Sequence, residues 1–217
     1  MTDHRDADLG DDALMRAFAL GDACAFEQLY ARHHAALYRF VRRVLGREAG
    51  TQADEVFQDT WLRVVNARAR WSPQGATFRT WLFTLAHHRA IDQLRKSGRE
   101  VSLDAAADDH DAREPWQPAG DAPAWQAWPA ATDPAPVGSV EDRAFWRAAG
   151  QRLLDCLDAL PAVQRSAFLL HHEDGLALDE LARTLEVGFE TAKSRLRYAM
   201  SKLRTCMGAY LPQGQET

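Results

Sequence analysis

Phe78-Arg-Thr-Trp-Leu-Phe-Thr-Leu-Ala-His-His-Arg-Ala-Ile-Asp-Gln-Leu-Arg95 is the stretch from which the rest of the chain can be read. As a helix continuing to Lys96, its first half sets Phe78, Trp81, Leu82 and Leu85 on one face at the i, i+3, i+4, i+7 spacing of a buried stripe. In the second half Ala90, Ile91 and Leu94 lie roughly opposite, which groups His88, Arg89, Asp92, Arg95 and Lys96 outward. A helix packed aromatic-side down at one end and mostly cationic at the other suits a grip on a nucleic-acid backbone. An ordinary surface helix fits the same spacing, with Asp92 pairing to His88, Arg95 or Lys96.

Charge is unevenly placed around this stretch. The 217 residues carry a net charge of -5, and 46% of them are hydrophobic, enough for packed cores. Residues 1–12 hold five Asp against one Arg, and residues 100–142 hold ten acids against Arg113. Residues 13–99 hold 14 basic and 7 acidic side chains, so the first folded block is basic, as a module that meets phosphates should be. No run approaches the roughly 18 apolar residues of a membrane span, and the acidic start MTDHRDADLGDD is unlike a signal peptide, which predicts a cytoplasmic protein without membrane attachment. Cys24, Cys156 and Cys206 show no Cys-x-x-Cys spacing and read as buried or idle thiols rather than a disulfide framework or zinc site.

Apolar spacing predicts a first helix over about Asp12–Leu20 and a long second one over Ala23–Leu45, stopped by Gly46. Thr51 reads as the cap of a third helix reaching about Asn66, with Val56, Phe57, Trp61, Leu62 and Val65 inward and Asp54, Glu55, Gln58, Asp59 and Arg63 outward. Between Arg99 and Val140 the periodicity dissolves: six of the nine prolines fall here, with Trp116, Trp125 and Trp128 among them. This predicts a flexible acidic linker spanning on the order of 35 Å.

Helical spacing returns at Glu141, and Pro161 opens a further helix over about Ala162–His172. Leu176–Leu185, the turn Glu186-Val187-Gly188, and Phe189 to about Arg204 then form two short helices joined by three residues, a helix-turn-helix by packing logic. Phe189, Ala192, Leu196, Ala199, Met200 and Leu203 are expected inward; Glu190, Thr191, Lys193, Ser194, Arg195 and Arg197 are expected outward, where such side chains reach bases and phosphates. Plain structural hairpins share this pattern. No phosphate-binding glycine loop, catalytic triad order or His-Glu-x-x-His occurs, and the doublets His33-His34, His87-His88 and His171-His172 lack a second ligand at i+4. The expectation is therefore no enzyme, no metal, no cofactor and no small-molecule substrate.

The pieces Phe78-Arg79-x-Trp81-Leu82 and Ala90-Ile91-Asp92-x-Leu94-Arg95, together with Leu160-Pro-x-x-Gln164-Arg165, Gly175-Leu176 and Thr191-x-Lys193-Ser194-Arg195-Leu196, resemble the bacterial sigma-70 family, specifically its extracytoplasmic-function group. The resemblance implies an all-α chain of two small helical domains: an acidic tail (1–12), a melting and clamp-binding domain (13–99), a linker (100–140), a helix-turn-helix domain (141–212) and a tail (213–217). It implies that Asp54, Glu55, Gln58 and Asp59 meet core RNA polymerase. It assigns Glu190, Thr191, Lys193, Ser194, Arg195 and Arg197 to double-stranded minus-thirty-five DNA, and Arg79, Thr80, His88, Arg89, Asp92, Arg95 and Lys96 to melting and holding the single-stranded minus-ten element. An anti-sigma factor is a further implied partner; a helix-turn-helix regulator working beside a housekeeping sigma is the rival reading. Three positions depart from the group pattern: His88 where Asn is frequent, Ala177 where Ser would cap, and Glu186 where Gly would sit in a left-handed turn. The last two forgo about 1 kcal/mol each.

Overall fold

The computed structural model describes residues 9–47, 49–73, 76–98 and 140–210; the expectations for the extreme tails and the Trp-containing linker lie outside them. Among the described residues there are eight α-helices, a closing 3-10 turn at Gly208–Tyr210, and no strand. They are α1 (Asp11–Ala19), α2 (Ala23–Leu45), α3 (Gly50–Ala67), α4 (Phe78–Lys96), α5 (Val140–Asp158), α6 (Ala162–His172), α7 (Leu178–Thr184) and α8 (Phe189–Met207).

The acids at the start of α1 are part of the fold. Asp12 Oδ1 accepts from the Phe78 amide at 2.7 Å, so α1 helps satisfy the free N–H groups that open α4. Asp11 accepts from Arg32 at 3.0 Å and contacts His33 at 2.6 Å, pinning α1 to α2. At the junction Gly21 takes φ +103°, and Asp22 then caps α2 by accepting from Cys24 N at 2.9 Å. Thr51 is not a cap: α3 begins one residue earlier at Gly50 after Ala49, whose amide bonds back to Gly46 O at 3.2 Å.

Helix α4 packs against α1, α2 and α3 on one side and against α7 on the other. Phe78, Leu82, Phe83, Ala86, Ala90, Ile91 and Leu94 are all buried, with Phe83 meeting Phe40 edge to face at 5.4 Å. The expected switch of apolar side partway along is in fact a continuous buried row that widens, because a second layer covers it. Trp81 and Leu85 are only half-buried. On α3, Leu62 is 59% exposed, against expectation, while Thr60 turns inward and donates to Val56 O at 2.7 Å. That hydroxyl meets its hydrogen-bonding need within the helix, so the row can bury it.

In the second half α8 is the common partner of α5, α6 and α7. Cys156 on α5 and Cys206 on α8 are joined as a disulfide, correcting the expectation of idle thiols; Cys24 is free and exposed. Fifty residues separate the two in sequence, so only the antiparallel return of α8 beside α5 brings them together.

The two halves are docked. Contacts run from α2 to α6 and from α4 to α7, and the buried apolar residues form one cluster from Leu14 to Met207. At the seam Arg165 Nη1 donates to Arg43 O and Val44 O, each at 3.2 Å, and its Nη2 donates to Asp158 O at 2.7 Å and Leu160 O at 3.0 Å. One guanidinium thus satisfies the carbonyl ends of both α2 and α5.

The crosslink has a measurable consequence. Denatured, unreduced protein should show one free thiol by alkylation and three after reduction. The Cys156→Ser/Cys206→Ser variant should lose up to about 4 kcal/mol of urea-measured stability in the second half, the loop-entropy ceiling for a crosslink of this span. Burial also sets the pH response. His87, 4% exposed, is pushed down to about 3, first by burial and then by the charges of His88, Arg195 and Arg95; His172 is pushed down to about 3 by burial and His171. Both stay neutral in the fold, so their contribution is complete above the unfolded histidine range and drains as pH falls. Asp174 is pushed up to about 6 by burial, against the pull of Arg79, Arg39 and Arg43, and acts in the opposite sense. The two histidines outweigh it. Unfolding free energy should drop between roughly pH 7 and 5, and His87→Leu should flatten that drop by about 2 kcal/mol.

Candidate nucleic-acid and polymerase interface

On α3, Asp54, Glu55 and Gln58 are exposed, on the outward face read from spacing. Asp54 accepts from Tyr38 Oη at 2.8 Å, which fixes it toward α2. Asp59 differs. It pairs with Arg63 at 3.0 Å and with Arg89 of α4. Burial pushes its carboxyl up, but the hydrogen bond from Arg63 and the charges of Arg89 and Arg63 outweigh this and hold it below the usual carboxylate range. The helix expected to meet polymerase and the helix expected to meet DNA are therefore joined by an ion pair.

The residues of α4 fall into three groups. Arg95 and Lys96 are exposed, and Asp92 lies 3.7 Å from Arg95 and 3.9 Å from Arg89, so the pairing read from spacing is present together with two open cations. Thr80 does not face outward: it is 4% exposed, and its amide donates to the capping Thr77 hydroxyl at 3.2 Å. Arg79 and His88 are turned to the second half, Arg79 donating to the Asp174 carbonyl and lying over the Phe83 ring, His88 standing 3.5 Å from Glu186.

In the second half α7, its turn and α8 form the expected helix-turn-helix. Ala177 caps α7 without a side-chain bond; only the reverse contact exists, Glu180 Oε2 accepting from the Ala177 amide at 3.1 Å. The turn closes with Glu186 N to Arg183 O at 3.1 Å and Val187 N to Ala182 O at 3.0 Å, a left-handed stop in which Glu186 takes φ +51°. Beyond it Glu190 and Thr191 are exposed, Lys193, Ser194 and Arg197 half-buried, and Phe189 exposed rather than inward. Arg195 departs most from expectation at 8% exposure. Helical spacing puts it on the outer face of a lone helix-turn-helix; here it lies close enough to His87 of α4 for its charge to act there. Glu173, Asp174 and Glu186 were not singled out as site residues from sequence, since nothing local marks a partner more than 90 residues away, as Arg79 is from Asp174.

Comparison with known proteins fits this arrangement. Residues 29–100 match the family model Sigma-70 region 2, and residues 150–203 match Sigma-70, region 4. The ECF RNA polymerase sigma factor SigK of Mycobacterium sp. (strain KMS) is 31% identical over 197 residues, 91% of this chain and 90% of that protein. Its counterpart in Mycolicibacterium vanbaalenii is 33% identical over 201 residues, 91% and 89% of the two chains. Two solved structures share the fold: CnrH in complex with the cytosolic domain of CnrY, at TM-score 0.59 and 23% identity, covering 92% of this chain and 99% of that one, and the sigma factor RpoE of Bartonella quintana in complex with the anti-sigma factor NepR, at TM-score 0.56 and 24% identity, covering 84% and 96%. With both family models matched and relatives aligned across nine-tenths of the length, the chain belongs to the extracytoplasmic-function group of sigma-70 family RNA polymerase sigma factors.

Proposed function

We propose how the surfaces of this chain divide the work of an alternative sigma factor, the protein that binds core RNA polymerase and directs promoter recognition and melting. The acidic face of α3, with Asp54, Glu55 and Gln58 exposed, meets the polymerase; Asp59, held by Arg63 and Arg89, ties that contact to α4. Arg95 and Lys96 grip the minus-ten backbone, with Arg79, Thr80, His88, Arg89 and Asp92 in the same melting segment. The start of α8 enters the major groove at the minus-thirty-five element through Glu190, Thr191, Lys193, Ser194, Arg195 and Arg197.

Strand opening on this reading uses binding energy and no covalent step of the sigma factor's own. A base flipped from the minus-ten element is captured near the loop that precedes α4, which offsets the few kcal/mol of unstacking. The polymerase is the catalyst. Among the described residues no helix is long and apolar enough to cross a membrane, and we place the chain in the cytoplasm with the polymerase. CnrH and RpoE of Bartonella quintana were solved with CnrY and with the anti-sigma factor NepR; a partner of that kind is proposed for this chain too.

The observation that carries the division is the pair of open surfaces, α3 acidic and the end of α4 cationic, on one packed first half. Run-off transcription from purified core polymerase plus this chain, with no other sigma, should appear on a promoter from its own genome. A requirement for the housekeeping sigma would make the chain an accessory regulator instead. With polymerase present, Arg195→Ala should weaken promoter binding by about 1 to 3 kcal/mol, concentrated at one base pair of the minus-thirty-five element, read by competition against single-base variants.

A further inference from the structure

Asp54 stands at the α2-facing edge of the acidic row on α3, and any role for what surrounds it rests on the proposed contact of that row with polymerase. Its neighbours one turn on are Phe57, half-buried, and Gln58, exposed with Glu55. A single side chain of α2 meets both Asp54 and Phe57. Tyr38, half-buried, donates its hydroxyl to Asp54 Oδ1 at 2.8 Å and sets its ring edge to face with Phe57, centroids 5.3 Å apart. From one turn further along α2, the Arg42 guanidinium lies 5.9 Å from the centroid of the same ring.

The fold has little need of this bond. Asp54 sits in the second turn of α3, past the free N–H groups that a carboxylate could cap, and the bond is exposed, so water can replace either partner at small net cost. What the bond fixes is direction. A carboxylate on a helix surface samples several rotamers, and a partner that uses one of them has to order it. Tyr38 suits the task because its ring is already held between Phe57 and Arg42, and a tyrosine has few torsions to freeze. The hydrogen bond to Asp54 first, then partial burial and the Asp54 charge, push the phenol above its ordinary value against the pull of Arg42, so it remains a donor across the neutral range. Asp59, further along the row, is held from α4 by Arg89.

We infer that Tyr38 is a positioning residue for polymerase binding: from α2 it holds the Asp54 carboxylate in the orientation that the polymerase contact uses, without touching polymerase itself. The phenol engages Oδ1, so an incoming guanidinium or ammonium group of polymerase is met chiefly at Oδ2. With the hydroxyl gone the carboxylate swings freely, and the cost of ordering it falls on formation of the complex.

Full-length variants competing with labelled wild-type chain for core RNA polymerase, followed by fluorescence anisotropy, test this. Tyr38→Phe keeps the ring and removes only the hydroxyl; it should weaken core binding about two- to tenfold and leave the urea midpoint of the free chain unchanged. Asp54→Ala should weaken binding at least as much, and adding Tyr38→Phe to it should change nothing further, because the group on which the phenol acts is gone. Wild-type affinity in Tyr38→Phe overturns the positioning role. An equal loss in both backgrounds overturns it in favour of direct contact between Tyr38 and polymerase, and a lowered urea midpoint in Tyr38→Phe overturns it in favour of a clasp between α2 and α3. Wild-type affinity in Asp54→Ala together with weakened binding in Glu55→Ala overturns the role of Tyr38 and leaves the polymerase face standing. Wild-type affinity in Asp54→Ala, Glu55→Ala and Gln58→Ala alike removes the face on which that role rests.

Discussion

The structure depends on α4 being wrapped on both sides. A surface helix buries one stripe; this one buries Phe78, Leu82 and Ala86 together with Phe83, His87 and Ile91, an arc wide enough to need two packing layers. The first layer is α2 and α3, and the second is α7 from the other half of the chain. His87 shows the consequence: it is buried, and its Nδ1 has no hydrogen-bond partner among the described residues, whereas on a one-layer helix it would meet water.

Arginine is the residue that makes a second layer possible. Arg165 ends α2 and α5 at once by holding four carbonyl oxygens, and Arg79 binds the Asp174 carbonyl while its guanidinium lies over Phe83. A planar group with five donors can satisfy backbone oxygens from two directions, which an ammonium cannot do in the same geometry. The cost of burying such charge is offset by carbonyl dipoles rather than by carboxylates alone. Asp174, buried among Arg79, Arg39 and Arg43, is still pushed up toward neutrality, so burial outweighs even three cationic neighbours.

An initiation factor has to hold two DNA-reading surfaces at a distance set by the promoter and yet exist without DNA. Chain connectivity alone leaves both surfaces exposed, and cationic faces bind nucleic acid without selectivity. Folding each onto the other covers part of both, and on the α4 side Glu186 and the Asp174 carbonyl meet His88 and Arg79. Asp59 plays a related part inside the first half, where its bond to Arg89 keeps α3 and α4 in fixed relation.

Helix positions were legible in the sequence because they rest on local spacing and punctuation: Gly46 after α2, Pro161 before α6 and Glu186 in its left-handed turn all stand as read. The resemblance to sigma factors was equally legible, since Phe78–Arg95 and Leu160–Leu196 carry it as contiguous runs. Orientation was not. Leu62 faces out, Thr80 faces in, and Arg195 is covered, each decided by what lies across from the helix rather than by what lies along it. The same holds for Cys156 and Cys206, whose pairing depends on α8 returning beside α5. Sequence alone determined which helices form and the family to which they belong, because those come from periodicity and motif. Only the tertiary structure decided which faces remain open, because burial is a property of two surfaces and a sequence describes one at a time.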